Sequence, residues 1–203
     1  MQEIIDGVRT FQRKVFPHYA ELFDKLAKGQ SPEALVITCS DSRVDPFLFM
    51  NAQPGQLFVL RNAGNIVPKF DGLVGGVTAT IEFAVVALKV PNIIVCGHSG
   101  CGAMRGLLHP ESLTNMPHVA DWLHHHADPV QEVLARNGWL GGENELDCAV
   151  DANVVVQLEN LRAHPSVAAA LNINHINLHG WVYDFVNGNV RAYDEANRQF
   201  VPL

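Results

Sequence analysis

Two short segments hold most of the residues able to do bond-making chemistry. Cys39-Ser40-Asp41-Ser42-Arg43 puts a thiol, a carboxylate and a guanidinium within five residues. Gly97-His98-Ser99-Gly100-Cys101-Gly102 adds an imidazole and a second thiol. Thiolate, imidazole and carboxylate are the ligand types that zinc takes. The spacing of His98 and Cys101 lets two ligands from one turn reach the same tetrahedral ion, and the flanking glycines let the backbone come close to it. If Cys39, His98 and Cys101 bind zinc, the fourth position is open for water, the arrangement of a catalytic rather than a structural site. Asp41 then stands where it can accept the water's hydrogen, with Arg43 pairing to hold it ionised. Neither motif alone is specific: a cysteine at a strand end is more often a small buried hydrophobe, and Asp41–Arg43 also reads as a plain ion pair. The combination is far more specific.

The elements around these segments decide where they lie. Ala34 to Thr38, Leu57 to Leu60 and Asn92 to Cys96 are short continuous apolar runs, typical of strands buried on both faces. Residues 3–28 carry apolar residues at helical spacing, broken near Pro17 and closed by Gly29. Helical patterns are expected over Val74 to Lys89, ended by Pro91, from Gly102 to Leu108, and at about 118–136 and 143–162. A fourth strand is expected from Ile176 to Val186, with a turn at Asn187-Gly188-Asn189 and a short partner strand, Val190 to Tyr193. Short apolar strands alternating with helices predict an α/β fold, a mostly parallel central sheet flanked by helices. Ligands of such folds sit beyond the carboxyl ends of the strands, where both chemical segments begin.

Bulk properties narrow the partners. The 203 residues fit one domain, and 48% hydrophobic with 17% charged residues is ordinary for a folded chain. A formal net charge of −7 and no basic run give no footprint for nucleic acid or an anionic membrane. No apolar stretch approaches the roughly 20 residues a spanning helix needs. The mixed N-terminus is not a secretory signal, and the four cysteines then suggest a reducing, cytoplasmic setting. Cys96 and Cys148 have no partner motif and read as inert core and a helix residue. His124-His125-His126 reads as a solvated helix face, since consecutive helical residues point about 100° apart.

The paired signatures Cys39-Ser40-Asp41-Ser42-Arg43 and His98-Ser99-Gly100-Cys101-Gly102 resemble those of β-carbonic anhydrases. Arg61-Asn62-Ala63-Gly64-Asn65 resembles the linking segment of that family, and His179-Gly180-Trp181-Val182-Tyr183 its C-terminal strand. The resemblance covers almost the whole chain and is nearest to the bacterial and cyanobacterial branch that includes the enzyme encoded beside cyanase. It implies a single domain over 1–203, residues 1–29 forming helices that pack on a partner subunit and 30–203 the zinc-binding core. It implies one Zn2+ per subunit on Cys39, His98 and Cys101, and hydration of CO2 to bicarbonate and a proton by zinc-hydroxide attack. In three-histidine carbonic anhydrases zinc takes the pKa of its water from about 15.7 to near 7; two thiolates donate more charge, so weaker acidification is expected here.

By the same resemblance Asp41 orients the hydroxide, or closes the site as a fourth ligand, and Arg43 keeps it charged. Gln30, often from a neighbouring subunit, and the backbone near Gly102 meet the product oxygen, while Phe58, Ala63 and Phe83 wall the apolar CO2 pocket. A homodimer or homotetramer is implied. A bicarbonate-regulated subgroup carries a tryptophan where this chain has Val36, with an arginine and a tyrosine matching Arg61 and Tyr183, so that regulatory site is expected to be absent. The position of a proton-transferring histidine in plant relatives is Ala87, which leaves His109 or buffer to carry the proton. Hydrolysis of COS or CS2 on the same scaffold, a non-catalytic zinc-stabilised scaffold role and, more remotely, thiol redox chemistry are the alternatives.

Overall fold

Apolar runs and their breakers account for most of the architecture. The structure, a computed structural model, describes residues 1–72, 75–137 and 144–203, and the chain divides into two units, Met1–Ser31 and Pro32–Leu203.

In the first unit α1 (Gln2–Thr10) runs through a five-residue π turn, Phe11–Val15, into α2 (Phe16–Leu26). The break expected near Pro17 is this turn. Proline has no N–H and its ring crowds the preceding turn, so the ladder widens there without ending. Phe16 meets Phe11 edge-on and stacks on Phe23, with centroids 6.0 and 5.6 Å apart. None of these helical residues is buried, and Ile4, Ile5, Val8, Phe11 and Val15 present an exposed apolar stripe.

The second unit is built on one six-stranded sheet in the order β2-β1-β3-β4-β5-β6. β1 (Ala34–Cys39), β2 (Leu57–Asn62), β3 (Asn92–His98) and β4 (Asn177–Tyr183) run parallel; β5 (Val190–Asp194) and β6 (Gln199–Pro202) complete an antiparallel edge. Every residue of β1 is buried because both of its faces are covered. Leu35, Ile37 and Cys39 face the larger core, whereas Ala34 and Val36 pack with Ile94, Cys96, Phe49 and Trp181 in a smaller cluster on the other side.

The helices are α3 (Pro46–Phe49), α4 (Gly76–Glu82), α5 (Gly102–Leu108), α6 (Pro117–Ala127), α7 (Pro129–Asn137), α8 (Glu145–Arg162) and α9 (Pro165–Asn172). α8 lies across β3 and β4. It comes so close that a Cβ on Gly97 would stand 2.9 Å from Val154 and 3.0 Å from Val150, so glycine is required one residue before His98.

Several boundaries differ from the expectations. The helix expected over 118–136 is two, because Pro129 cannot continue the hydrogen-bond ladder and begins α7. The helix expected from Val74 begins at Gly76 and ends in a π turn, Phe83–Ala87; Val74, like Glu143 at the start of another expected helix, lies outside the described residues. β4 stops at Tyr183, since Asp184 turns the chain by accepting the N–H of Val186. Four elements were not foreseen: α3, capped by Asp45 with Pro46 in its first turn, a 3-10 turn at Pro110–Leu113, α9, which His164-Pro165 opens, and β6. No helix among the described residues is long and apolar enough to cross a membrane.

Candidate metal centre

From β1 the chain goes out to β2 on one side and reaches β3 on the other, so the sheet order reverses between β1 and β3. Such a switch point opens a crevice at the carboxyl ends of the strands. Cys39 ends β1 and His98 ends β3; Cys101 follows one short turn later as the residue that opens α5. Sequence-distant ligands thus converge because their strands are neighbours.

Cys39, His98 and Cys101 are all buried, and one ligand atom of each lies within 4.8 Å of the others. His98 Nδ1 is 2.9 Å from the carbonyl oxygen of Ser99. A carbonyl only accepts, so Nδ1 carries the hydrogen and Nε2 presents its lone pair. That Nε2 is fully buried and has no hydrogen-bond partner. A buried acceptor left without a partner costs about 1–3 kcal/mol, which a cation would remove. Cys39 is held well below the ordinary thiol range, first by the hydrogen bond from Cys101 and further by the Gly64 and Asp41 amides, against the opposing effect of burial. Cys101 is correspondingly pushed up, by that hydrogen bond and by burial. The hydrogen bond between the two sulfurs thus favours the thiolate at Cys39 and the thiol at Cys101. Ligand atoms around tetrahedral zinc lie roughly 3.5–3.8 Å apart by its bond lengths, so a small contraction completes the fit.

Asp41 and Arg43 flank this cluster. Arg43 grips the carboxylate with Nε to Oδ1 at 2.9 Å and Nη2 to Oδ2 at 2.7 Å, while its backbone N–H donates to Oδ1 at 3.0 Å. These bonds hold Asp41 far below the usual carboxylate range. Oδ2 is the oxygen turned inward, 4.0 Å from His98 Nε2. Arg61 fixes the same loop from beneath, donating to the carbonyls of Cys39 at 3.0 Å and Asp41 at 2.7 Å.

The segment after β2 is also tied down. The side chain of Asn62 donates to the carbonyl of Ile66 and accepts its N–H, both at 2.7 Å. Trp122 Nε1 donates to the carbonyl of Ala63 at 2.9 Å. From α8, Asn153 donates to the carbonyl of Gly64, and Gln157 links Asn153 to the N–H of Val67.

The expected residues therefore divide. Cys39, His98, Cys101, Asp41 and Arg43 lie together; Ala63 follows the end of β2 and Gly102 begins α5 directly after Cys101. Phe58 and Phe83 pair with each other, centroids 6.0 Å apart, but Phe58 is level with Leu35, four residues before Cys39. At a strand rise of ~3.3 Å per residue that is about 13 Å from the ligand end. Gln30 is exposed and belongs to the N-terminal unit. Cys96 is fully buried, its thiol pushed up to about 12 by burial, which suits inert core.

Three contributors escaped sequence reasoning. Trp122 and the amides of α8 are one; Asn153, Gln157 and Asn160 recur at helical spacing among the apolar residues of that helix, a signal that was available. Ser99 is the second, its hydroxyl donating to Asp184 Oδ1 at 3.0 Å. Phe185 is the third, its ring centroid 4.3 Å from Cζ of Arg43.

Comparison with known proteins agrees with this geometry. The family model described as carbonic anhydrase matches residues 34–190. A carbonic anhydrase of Pseudomonas aeruginosa is 49% identical over 203 residues, spanning 100% of this chain and 92% of the relative. The solved structure of the β-carbonic anhydrase CcaA superposes with a TM-score of 0.93 at 44% identity, covering 100% of this chain and 99% of that one. One of two tetrameric β-carbonic anhydrases of the ascomycete Sordaria macrospora gives a TM-score of 0.71 at 32% identity, covering 94% and 92%. With a switch-point Cys-His-Cys cluster beside a clamped aspartate, and likeness over its full length, the chain belongs to the β class of the carbonic anhydrase family.

Proposed function

We propose that this enzyme hydrates CO2 reversibly to bicarbonate and a proton, using one zinc ion per subunit held by Cys39, His98 and Cys101. The observation that carries the reading is the buried, partnerless Nε2 of His98 lying within 4.8 Å of the sulfurs of Cys39 and Cys101, themselves buried. Bound there, zinc would supply the Lewis acidity that lowers the pKa of water and makes hydroxide available, less strongly than in a three-histidine site.

The chain's own residues do the rest. Asp41 accepts a hydrogen bond from the attacking water through Oδ2, so the oxygen lone pair is aimed at the carbon of CO2. Arg43 keeps that carboxylate ionised and fixes its rotation. The Gly102 N–H, free at the start of α5, donates to the product oxygen as charge develops there. The proton passes to buffer.

Phe58 is too far along β2 to wall this pocket within one chain, and Phe83, which pairs with it, is 50% exposed. We assign them, with Gln30, to the site of a second copy. The exposed apolar stripe of α1 and its π turn gives that copy a surface to cover, and the Sordaria relative is a tetramer. The regulatory bicarbonate site is absent in this reading. Val36 is fully buried, Arg61 is committed to two backbone carbonyls, and Tyr183 stacks on Phe49 at 4.3 Å.

Stopped-flow CO2 hydration on protein of measured zinc content tests the proposal. Fast hydration that disappears with the zinc and returns on its addition is the expected result. Full zinc occupancy without hydration defeats it, and sulfide release from COS then distinguishes a hydrolase from a scaffold.

A further inference from the structure

Arg43 is the part of the site with the least intrinsic reason to stay in place. Its side chain is 51% exposed, and an exposed arginine–carboxylate pair gives little net energy while giving up rotamer freedom. Yet the guanidinium meets three groups at once. Besides the two bonds to Asp41, Nη2 reaches the carbonyl of Gly100 at 3.3 Å, and the face of Phe185 lies beneath it at 4.3 Å.

Phe185 is itself built in. Its N–H donates to Ser99 Oγ at 3.3 Å, that hydroxyl donates to Asp184 Oδ1 at 3.0 Å, and the N–H of Ser99 donates to the carbonyl of Tyr183 at 2.9 Å. The ring crosses the bare α-carbon of Gly100, whose φ of +63° favours glycine in any case. It also stands 6.2 Å from the ring of His98. The turn that carries His98 and Cys101 therefore fixes the ring under Arg43.

We propose that Phe185 is a positioning residue for CO2 hydration, its ring face holding the Arg43 guanidinium in the plane in which it grips Asp41. This rests on the roles given to Asp41 and Arg43 above. The interaction is a cation over an aromatic quadrupole at a distance where such pairs are effective, and the planar guanidinium suits stacking. Leucine would supply apolar bulk but no negative face; tyrosine would supply both.

The test compares Phe185→Leu and Phe185→Tyr as zinc-loaded enzymes, with melting temperature measured for each. Phe185→Leu should lower kcat/KM about three- to tenfold, the worth of one such pair, and Phe185→Tyr should restore it. In NMR of the same proteins the Nε–H of Arg43, bonded to Asp41, should exchange with water faster in Phe185→Leu and at the parental rate in Phe185→Tyr. If Phe185→Leu melts markedly lower, Phe185→Met takes its place as the apolar control. A leucine enzyme with parental rate and exchange overturns the proposal. So does a loss that tyrosine fails to rescue, or a loss of rate with exchange unchanged, since either marks mere packing. Asp41→Asn assayed alongside separates the two claims: at full activity it refutes the role of Asp41, while the exchange comparison still decides what Phe185 holds.

Discussion

Replacing Asp41 by asparagine changes almost no volume, so its effect reads chemistry and not packing. The two oxygens of Asp41 differ. Oδ1 accepts the Arg43 N–H at 3.0 Å and Nε at 2.9 Å, whereas Oδ2 accepts Nη2 at 2.7 Å and faces His98 Nε2 at 4.0 Å. In Asp41→Asn the two donors on Oδ1 keep the amide oxygen there, which puts the NH2 at the inward position. An acceptor aimed at the attacking water becomes a donor, and that NH2 also meets the Nη2 donor head-on. Arg43 then has to move away. Because Asp41 is held far below the usual carboxylate range, its part is to accept a hydrogen bond and not to store a proton. The expected loss is therefore near the lower end of the acid–base range, about 10²-fold in kcat, with zinc retained. Stopped-flow hydration with metal analysis on the same sample measures both. A zinc-loaded Asp41→Asn enzyme within about twofold of the parent, far less than acid–base assistance is worth, would refute the orientation argument.

Other outcomes follow from the same contacts. Cys39→Ala and His98→Ala should each lose zinc and activity together, read as metal per subunit after gel filtration; zinc retained at parental stoichiometry in both would exclude this cluster as the site. Gln157→Leu strands the N–H of Val67 and the Oδ1 of Asn153, both bonded to Gln157 at 2.9 Å. At about 1–3 kcal/mol for each stranded group, the melting temperature should fall by several degrees; an unchanged Tm would show that water replaces the amide. Burial pushes the carboxyl of Asp151 up to about 6, against the two bonds from Arg191. Its folded pKa thus exceeds its unfolded one, so this contribution to stability is present at pH below about 4 and is lost as pH rises through about 6. Urea titrations across that window should show the decline in the parent and not in Asp151→Asn.

The ligand set was legible because residue type, spacing and strand ends coincide: one cysteine closes an apolar run, and an H-x-x-C closes another. Asp41 and Arg43 were legible because a two-residue spacing suffices for them to meet. What escaped depends on register. Phe185 reaches Arg43 only because β4 lies beside β3 with Tyr183 level with His98, and nothing local announces that pairing. β6 is only four residues long and carries a proline, so alternation has no room to show. Which site Phe58 would serve was not legible for the opposite reason: its type suits a pocket wall, but only the pairing with Leu35 reveals its distance from Cys39 of its own chain.

These distances bear on why the site needs so much support. Both ligand-bearing segments start at the last paired residue of a strand, Cys39 or His98, and run on into loop, where backbone is least constrained. Each is nevertheless fixed on two sides: Arg61 and Asn62 from β2 hold the Cys39 loop and the segment after β2, and Ser99 with Asp184 ties the His98 turn to the end of β4. α8 closes the ring through Asn153 and Gln157, buried amides that bond each other and reach the carbonyl of Gly64 and the N–H of Val67. A buried polar network of this kind stabilises only when all its members are satisfied. Losing any one of them should therefore loosen the ligand geometry before it unfolds the sheet. Zinc affinity in Gln157→Leu should fall at temperatures well below its melting transition, and a variant that melts early yet binds zinc as the parent does would show the network to be scaffolding for the fold alone.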